Sequence, residues 1–136
     1  MDHLLLQAAI AVTILCPLSQ AQEIKLHASD HAAGDLFGTA VSISGNAAIV
    51  GARRHDHNGQ NSGAAYLYNV TTGEQTAELL AADGAAYDYF GFSVGISDDN
   101  AIVGARWDDD NGAQSGSAYV YDVTTGLLKT KLLPID

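Results

Sequence analysis

Beyond residue 21 the chain alternates short apolar runs with turn residues, which is a pattern typical of β-structure. In residues 39–44, Val41 and Ile43 fall on one side, and the run ends at the turn residues Gly45 and Asn46. Alternation with a period of two residues predicts a strand with one buried face. Residues 47–52 are apolar throughout, which predicts an inner strand covered on both faces. No window shows sustained helical periodicity.

Two further strands follow in the same unit. Tyr66 and Tyr68 lie on one face of a third strand that ends at a Thr-Thr-Gly turn, and we expect them to pack between sheets. Residues 75–82 predict a fourth strand. It carries Glu78, matched by Lys131 in a later strand, and such charges suit an outer edge because they discourage pairing with other chains. The unit is therefore a four-stranded antiparallel sheet.

The whole unit occurs twice. Residues 37–73 align with residues 90–126 without a gap, and 23 of the 37 aligned positions are identical. A four-stranded unit repeating at about 50 residues predicts an all-β fold of β-propeller blades, the first about 37–82 and the second about 90–135. Residues 23–28 match the fourth strand of each unit, which predicts one preceding outer strand. A β-sandwich and a β-solenoid are the alternatives.

Two blades do not close a propeller, since known propellers contain roughly 4–8 blades and repeat arrays need about three units for stability. Two stacked blades share one interface and leave two apolar faces open. The sequence therefore predicts other blades in cis, as part of a larger propeller, or a homo-oligomeric ring of identical chains. We favour the first, because the sequence stops at Asp136, where a fourth strand would end.

The N-terminal segment predicts secretion. Residues 4–18 carry no charge and are followed by Ser19 and Ala21, the small residues of a secretory cleavage site, so residues 1–21 are interpreted as a signal peptide. The apolar run is shorter than the roughly 20 residues of a transmembrane segment. The segment before it lacks the usual Lys or Arg. A buried core segment and a lipoprotein acylated at Cys16 are the alternatives.

Charge excludes one class of partner. The chain has 6 Lys and Arg against 16 Asp and Glu, for a net charge of −10. Binding to nucleic acid draws on basic side chains that displace counterions from phosphates, so no nucleic-acid partner is expected.

The glycine motifs of the two units carry a family resemblance. The pairs Phe37-Gly38 and Phe90-Gly91, each followed by Gly-Ala at the end of the second strand, resemble FG-GAP repeats. Those repeats build the seven-bladed β-propeller at the head of integrin α chains and occur in many secreted bacterial proteins. The resemblance implies a secreted, non-enzymatic module for adhesion or recognition, at the cell surface or outside the cell, with an extracellular protein or carbohydrate ligand.

The chain departs from the family pattern in two ways. Arg53 and Arg106 stand where the final Pro of the motif is expected. The span between FG and GA is short and lacks the Asp-x-Asp/Asn-x-Asp loop of calcium-binding members, so that site cannot be carried over. The shorter form resembles bacterial FG-GAP variants.

The most metal-like segment lies between the second and third strands of the second unit. Carboxylate and amide oxygens are the ligands that calcium takes, 6–8 at a time, which predicts calcium at this loop. An acidic hairpin loop without metal is the alternative. The candidate ligands are Asp108, Asp109, Asp110 and Asn111, with Asp56 and Asn58 at matching positions of the first unit.

Two other side-chain types have candidate roles in these loops. His55 and His57 alternate in a way that suits zinc or nickel, but no third ligand is visible in the sequence and the second unit lacks both. Trp107 is the single tryptophan and stands among aspartates, where an indole can stack on a sugar or anchor a partner. Covering the end of a sheet is its alternative role.

No catalytic motif occurs in either unit, neither a Gly-x-Ser-x-Gly nor a phosphate-binding glycine loop. We therefore do not expect an enzyme. The alternative function is a structural accessory propeller of a larger extracellular hydrolase or lyase.

Overall fold

The computed structural model describes residues 22–135, so the predicted signal peptide lies outside the described residues. These residues form eight strands in two four-stranded antiparallel sheets, and no helix occurs among them. The first sheet has the order β1-β2-β3-β4 and the second β5-β6-β7-β8. The strands are β1 Phe37–Ser44, β2 Ala47–Ala52, β3 Ala64–Asn69, β4 Gln75–Leu79, β5 Phe90–Ser97, β6 Asn100–Ala105, β7 Ser117–Asp122 and β8 Leu128–Leu132.

The two sheets repeat each other in detail, which confirms the repeat as a structural unit. The β1–β2 ladder shifts register between Phe37 and Ala40, and the β5–β6 ladder shifts between Phe90 and Ser93, 53 positions further on. The ladders of the third and fourth strands also shift at matching positions. All-β blades of the propeller type were predicted, and this prediction is confirmed.

The sheets stack face to face, with β5 lying across β1 and β2 of the first sheet. The shared core is apolar and includes Ile49 and Leu67 from the first sheet and Val103 and Tyr119 from the second, all fully buried. Burying such side chains stabilises the fold by about 1.5–3 kcal/mol each. Tyr119 and Tyr121 of the second sheet pack in this core, as the repeat predicts. Tyr66 and Tyr68 of the first sheet are buried on its opposite face, in a separate cluster with Ala28.

The Phe-Gly and Gly-Ala pairs meet at the contact between the sheets. The ring of Phe90 is buried and lies edge-on to Tyr119, with ring centroids 5.3 Å apart. Beside it, a Cβ on Gly91 would lie 2.2 Å from the carbonyl oxygen of Ala64, and a Cβ on Gly51 would lie 2.2 Å from the carbonyl oxygen of Gly91. Backbone meets backbone here, and a side chain at either glycine would hold the sheets apart.

Each sheet keeps one face without a neighbouring sheet among residues 22–135. Val41 and Ile43 are 68% and 64% exposed, whereas the matching Ile96 packs against the shared core. On the far side of the second sheet, Ile102 is 41% exposed, whereas the matching Ile49 is fully buried. The prediction of an inner strand covered on both faces is therefore right for β2 and wrong for β6.

The predicted outer strand at residues 23–28 is not a strand. The matching segment β4 is held in a ladder by β3, and no strand of the described chain pairs with residues 23–28. The segment nevertheless packs on the first sheet, because Ala28 is buried against Val50 and Tyr66. It thus takes the packing position of an outer strand without the hydrogen bonding.

We expect Gly91→Ala to destabilise the protein far more than Gly38→Ala. Both glycines have φ near +90°, so an alanine costs about 1 kcal/mol of backbone strain at either position. Only Gly91 touches the other sheet, since nothing lies within 4 Å of a Cβ on Gly38, and overpacking adds about 1–3 kcal/mol. Urea unfolding at a concentration where the protein is monomeric measures both variants. Equal losses would contradict the packing role of Gly91.

Candidate functional site

The long connections of both sheets lie at one end of the molecule. In an antiparallel meander the β2–β3 and β4–β5 connections share an end, and the β1–β2 and β3–β4 turns share the other. We call the first the loop end. It consists of residues 30–36, 53–63, 80–89 and 106–116. All six residues predicted as metal ligands, and Trp107, belong to it.

In the second repeat the loop end holds a partly buried cation, the ammonium group of Lys131 on β8. Its Nζ lies 2.7 Å from Asp83 Oδ2 and 3.0 Å from Asp108 Oδ2, and it also bonds Asp110. The hydroxyl of Tyr119 lies 2.7 Å from Asp108 and 2.9 Å from Asp83. An ammonium has three donors, and here each meets a carboxylate. We call these residues the lysine cluster.

The ion pairs control the protonation of the lysine cluster. Burial opposes ionisation of Asp83, but hydrogen bonds from Lys131 and Tyr119 outweigh it and lower the pKa to about 2. Burial likewise opposes ionisation of Asp108, yet hydrogen bonds from Tyr119, the Asp110 N–H and Lys131 hold its pKa below the usual range. Burial would lower the pKa of Lys131, and the carboxylates raise it instead. The cluster is therefore charged at neutral pH.

The first repeat places different side chains at the same four points. Asp30 corresponds to Asp83. At the other three positions, histidines stand in place of Asp108 and Asp110, and a glutamate stands in place of Lys131. We call this set the histidine cluster. Its residues are Asp30, His55, His57 and Glu78, and their ligand atoms all lie within 4.8 Å of one another.

His55 is the buried member of the histidine cluster, at 6% exposure. Its Nδ1 lies 3.1 Å from Asp35 Oδ2, and its Nε2 lies 3.0 Å from Asp30 Oδ2 and 4.0 Å from Glu78 Oε1. Asp30 also accepts a hydrogen bond of 2.9 Å from the Tyr66 hydroxyl, as Asp83 does from its tyrosine. The local frame of the two clusters is thus the same.

The two carboxyl groups of the histidine cluster differ in acidity. Burial raises the pKa of Glu78, and the nearby Asp30 raises it further. Burial acts on Asp30 in the same sense, but hydrogen bonds from Tyr66 and Glu78 lower its pKa overall.

The structure does not bring the six predicted calcium ligands together. Asp108 and Asp110 meet at Lys131, whereas the side chains of Asp109 and Asp56 turn back to cap their own loops. The two asparagines bond main-chain carbonyls, Asn58 that of Ala81 and Asn111 that of Pro134. At the one point where carboxylates converge, an ammonium supplies the positive charge. Calcium at these residues stays a prediction.

Trp107 lines a shallow cleft of about 210 Å³ between the two repeats. Its ring meets Tyr89 edge-on, with centroids 5.0 Å apart. The guanidinium groups of Arg53 and Arg106 lie 5.2 Å and 4.9 Å from the ring centroid of Phe92. The two arginines that replace the proline of the family motif therefore build this cleft. With Arg54, also in its lining, they are all the arginines of the chain.

Sequence reasoning missed one member of each cluster, Glu78 on β4 and Lys131 on β8. It assigned Glu78 and Lys131 to edge protection, but their side chains are only 24% and 17% exposed and point into the clusters. The signal was available in the alignment of the repeats, where a reversal of charge at these positions accompanies the exchange of His55 for Asp108. The pattern of a single strand does not show which loop a charged side chain on that strand contacts.

The stacked four-stranded sheets, with backbone contact at paired glycines, define a protein of the β-propeller blade type. A family model described as FG-GAP repeat matches residues 21–68 and 74–121. The chain belongs to the FG-GAP repeat family, which confirms the resemblance.

Two solved structures of computationally designed proteins are similar to this chain. Ika4 shares 17% identity with a TM-score of 0.45, over 82% of this chain and 79% of its own. Ika8 shares 18% identity with a TM-score of 0.39, over 68% of this chain and 35% of its own, so the chain spans about a third of Ika8. No curated protein matches the chain. No helix within residues 22–135 has the length and hydropathy that crossing a membrane requires.

We expect Lys131→Met to lower the free energy of unfolding by about 3 kcal/mol, because Asp108 would remain buried without its cation. The matched variant Lys129→Met removes a more exposed pair with Asp122 and should cost less than about 1 kcal/mol. Because the folded pKa of Asp83 lies below its ordinary value of 3.8, its contribution is present above pH 4 and is lost as the pH falls towards 2.

Urea unfolding between pH 2 and pH 7 measures both effects. The wild type should lose stability below pH 4, and Lys131→Met should lose less there, since the ion pair is already gone. Equal effects of the two lysine variants at pH 7 would contradict the stabilising role of the lysine cluster.

Proposed function

We propose that this protein is a secreted, non-enzymatic FG-GAP module for adhesion or recognition, which binds an extracellular ligand at the loop end. FG-GAP repeats occur in adhesion and recognition modules. Loops held by a rigid sheet scaffold are the usual place for binding residues. Secretion rests on the pattern of residues 1–21.

The cleft at Trp107 is the observation that carries the proposal. It combines aromatic faces with three arginines, which are half of the six Lys and Arg residues in a chain of net charge −10. Guanidinium groups pair with carboxylates and indoles stack on sugar rings. We infer an acidic carbohydrate, or a carboxylate on a protein, as the ligand.

The open faces of the two sheets support a second part of the proposal, assembly with further blades. The exposed face at Ile43 has the same composition as the face at Ile96, which the first sheet covers. The exposed face of the second sheet at Ile102 corresponds to the face of the first sheet at Ile49, which packs against the second sheet. Other blades in cis or identical chains in a ring would close both faces. A larger extracellular hydrolase or lyase carrying the blades is the alternative setting.

Intrinsic fluorescence tests the ligand proposal directly, because Trp107 is the single tryptophan. A glycan array of acidic and neutral sugars identifies the class, and titration with glucuronic acid and with glucose compares a matched acidic and neutral probe. We expect a fluorescence change with the acidic probe alone. Arg106→Gln should weaken that binding about 10-fold, as expected for losing a charged hydrogen bond. Lys25→Gln, which removes one positive charge elsewhere, should have no effect.

Trp107→Ala, followed by calorimetry with the acidic glycans, is the companion variant. Unchanged binding with unchanged folding would remove Trp107 from the site. Binding to neutral glycans alone would contradict the role of the arginines.

The pair Ile43→Glu and Ile96→Glu tests assembly. Light scattering of the purified protein gives its mass, and a closed ring of identical chains predicts a trimer or tetramer. In that case Ile43→Glu should return the protein to a monomer with its circular dichroism retained. Ile96→Glu should destabilise the fold itself, because it places a charge at a half-buried position packed against the shared core. A folded wild-type monomer at micromolar concentration would exclude the ring and leave blades in cis.

A further inference from the structure

We propose that the histidine cluster is a binding site for a divalent transition metal ion, with Zn²⁺ as the reference ion. The sequence showed two alternating histidines and no third ligand. The fold supplies two more, because β4 and the segment that precedes β1 each bring a carboxylate to them. The four ligands are Asp30, His55, His57 and Glu78.

The first support is a conflict between buried acceptors. When its imidazole is neutral, His55 carries one N–H, and donation from Nδ1 to Asp35 Oδ2, 3.1 Å away, leaves Nε2 as an acceptor. Nε2 then presents a lone pair 3.0 Å from Asp30 Oδ2, which is itself an acceptor. Both His55 Nε2 and Glu78 Oε1 are buried without a hydrogen-bond partner. A cation between these atoms resolves the conflict, and the imidazole is more than nine-tenths buried and aimed at that point.

The second support comes from the other repeat. At the matching point the Lys131 ammonium sits among three aspartates, so the scaffold holds a cation there in the second repeat. In the first repeat Glu78 stands in place of that lysine, and no amino group replaces it within the cluster. The two aspartates that face the ammonium are replaced by His55 and His57. Loss of the built-in cation therefore coincides with the gain of two metal-binding nitrogens.

The donor set points to a transition metal and away from calcium. Calcium takes oxygen ligands, whereas two imidazole nitrogens with two carboxylates suit Zn²⁺ and its neighbours. Tetrahedral Zn²⁺ needs ligand atoms about 3.3 Å apart, given bonds of about 2.0–2.1 Å, and the cluster already holds them within 4.8 Å. His57 is exposed, and we expect rotation of its side chain to bring its ring nitrogen closer to the other ligands.

The surroundings match those of metal sites. Asp35 orients the buried histidine through Nδ1, which is the usual arrangement of a carboxylate behind a ligating imidazole. On the outer side the cluster opens on a cleft of about 540 Å³, lined by Arg54 and Gln60 among others, through which an ion can enter. A bound ion would join the segment before β1 to β4, as Lys131 joins Asp83 to β8.

Calorimetry with Zn²⁺ on the full chain tests the proposal, with Ca²⁺ and Mg²⁺ as controls. We expect one Zn²⁺ per chain, a higher melting temperature with Zn²⁺, and no such shift with the other two ions. Co²⁺ should give the visible absorption of a tetrahedral nitrogen and oxygen site. Asp35→Asn should weaken Zn²⁺ binding about 10-fold or more, as expected for a residue that orients a ligand.

Two variants separate this site from adventitious binding to surface histidines. His27→Gln removes an exposed histidine outside the cluster and should leave Zn²⁺ affinity unchanged. The triple variant His55→Asp, His57→Asp, Glu78→Lys copies the lysine cluster into the first repeat. It should fold without metal and lose the bound Zn²⁺.

Three outcomes overturn the proposal. They are no Zn²⁺ binding at micromolar concentration, Zn²⁺ binding retained in the triple variant, and a loss of Zn²⁺ affinity in His27→Gln equal to that in the triple variant. The first would mean that a proton on His55 Nε2 supplies the missing positive charge. The ligand cleft at Trp107 plays no part in these measurements, so failure here leaves the proposed recognition function standing.

Discussion

The architecture depends on one contact, the approach of the Gly91 backbone to Gly51 and Ala64 of the preceding sheet. Because a Cβ at either glycine would fall 2.2 Å from a carbonyl oxygen, the two sheets can close only where side chains are absent. Phe90, next to this contact, fills the core between them. The contact fixes how the second sheet sits on the first. In this arrangement the segment before β1 lies at the loop end of the first sheet, and the segment before β5 lies at the loop end of the second.

This arrangement explains how the clusters arise. Asp30 and Asp83 come from the segment ahead of a sheet, whereas the other members of each cluster come from the sheet itself. In the second repeat the Lys131 ammonium, shared among these carboxylates, ties the two repeats together at the loop end. The glycine contact between sheets occurs once among the described residues, whereas the polar cluster occurs in both repeats with different side chains. Exchange of charge between copies is tolerated because the tyrosine and aspartate frame stays in place.

The sequence predicted the repeat, the four-stranded sheets and the burial of the tyrosines, because all of these follow from local alternation and from 23 identities at one offset. It did not predict exposure of Ile102, which depends on a neighbouring sheet and not on the strand itself. Residues 23–28 failed as a strand for the same reason, since hydrogen-bonded pairing needs a partner. The apolar pattern of a strand therefore predicts burial on both faces, even where no described residue covers one of them, as at Ile102.

The site was harder to predict because its members are distant in sequence. His55 and Glu78 are separated by a loop and a strand, and Asp30 belongs to the unit before. Reading acidic residues along one loop grouped Asp109 with Asp108, although adjacent side chains point apart and only the latter enters a cluster. Aligning the repeats position by position is more informative than reading either alone, since a change of charge at one position then has to be balanced at its spatial neighbours. The two repeats show such a change, since the second places Lys131 among aspartates where the first places Glu78 beside His55 and His57.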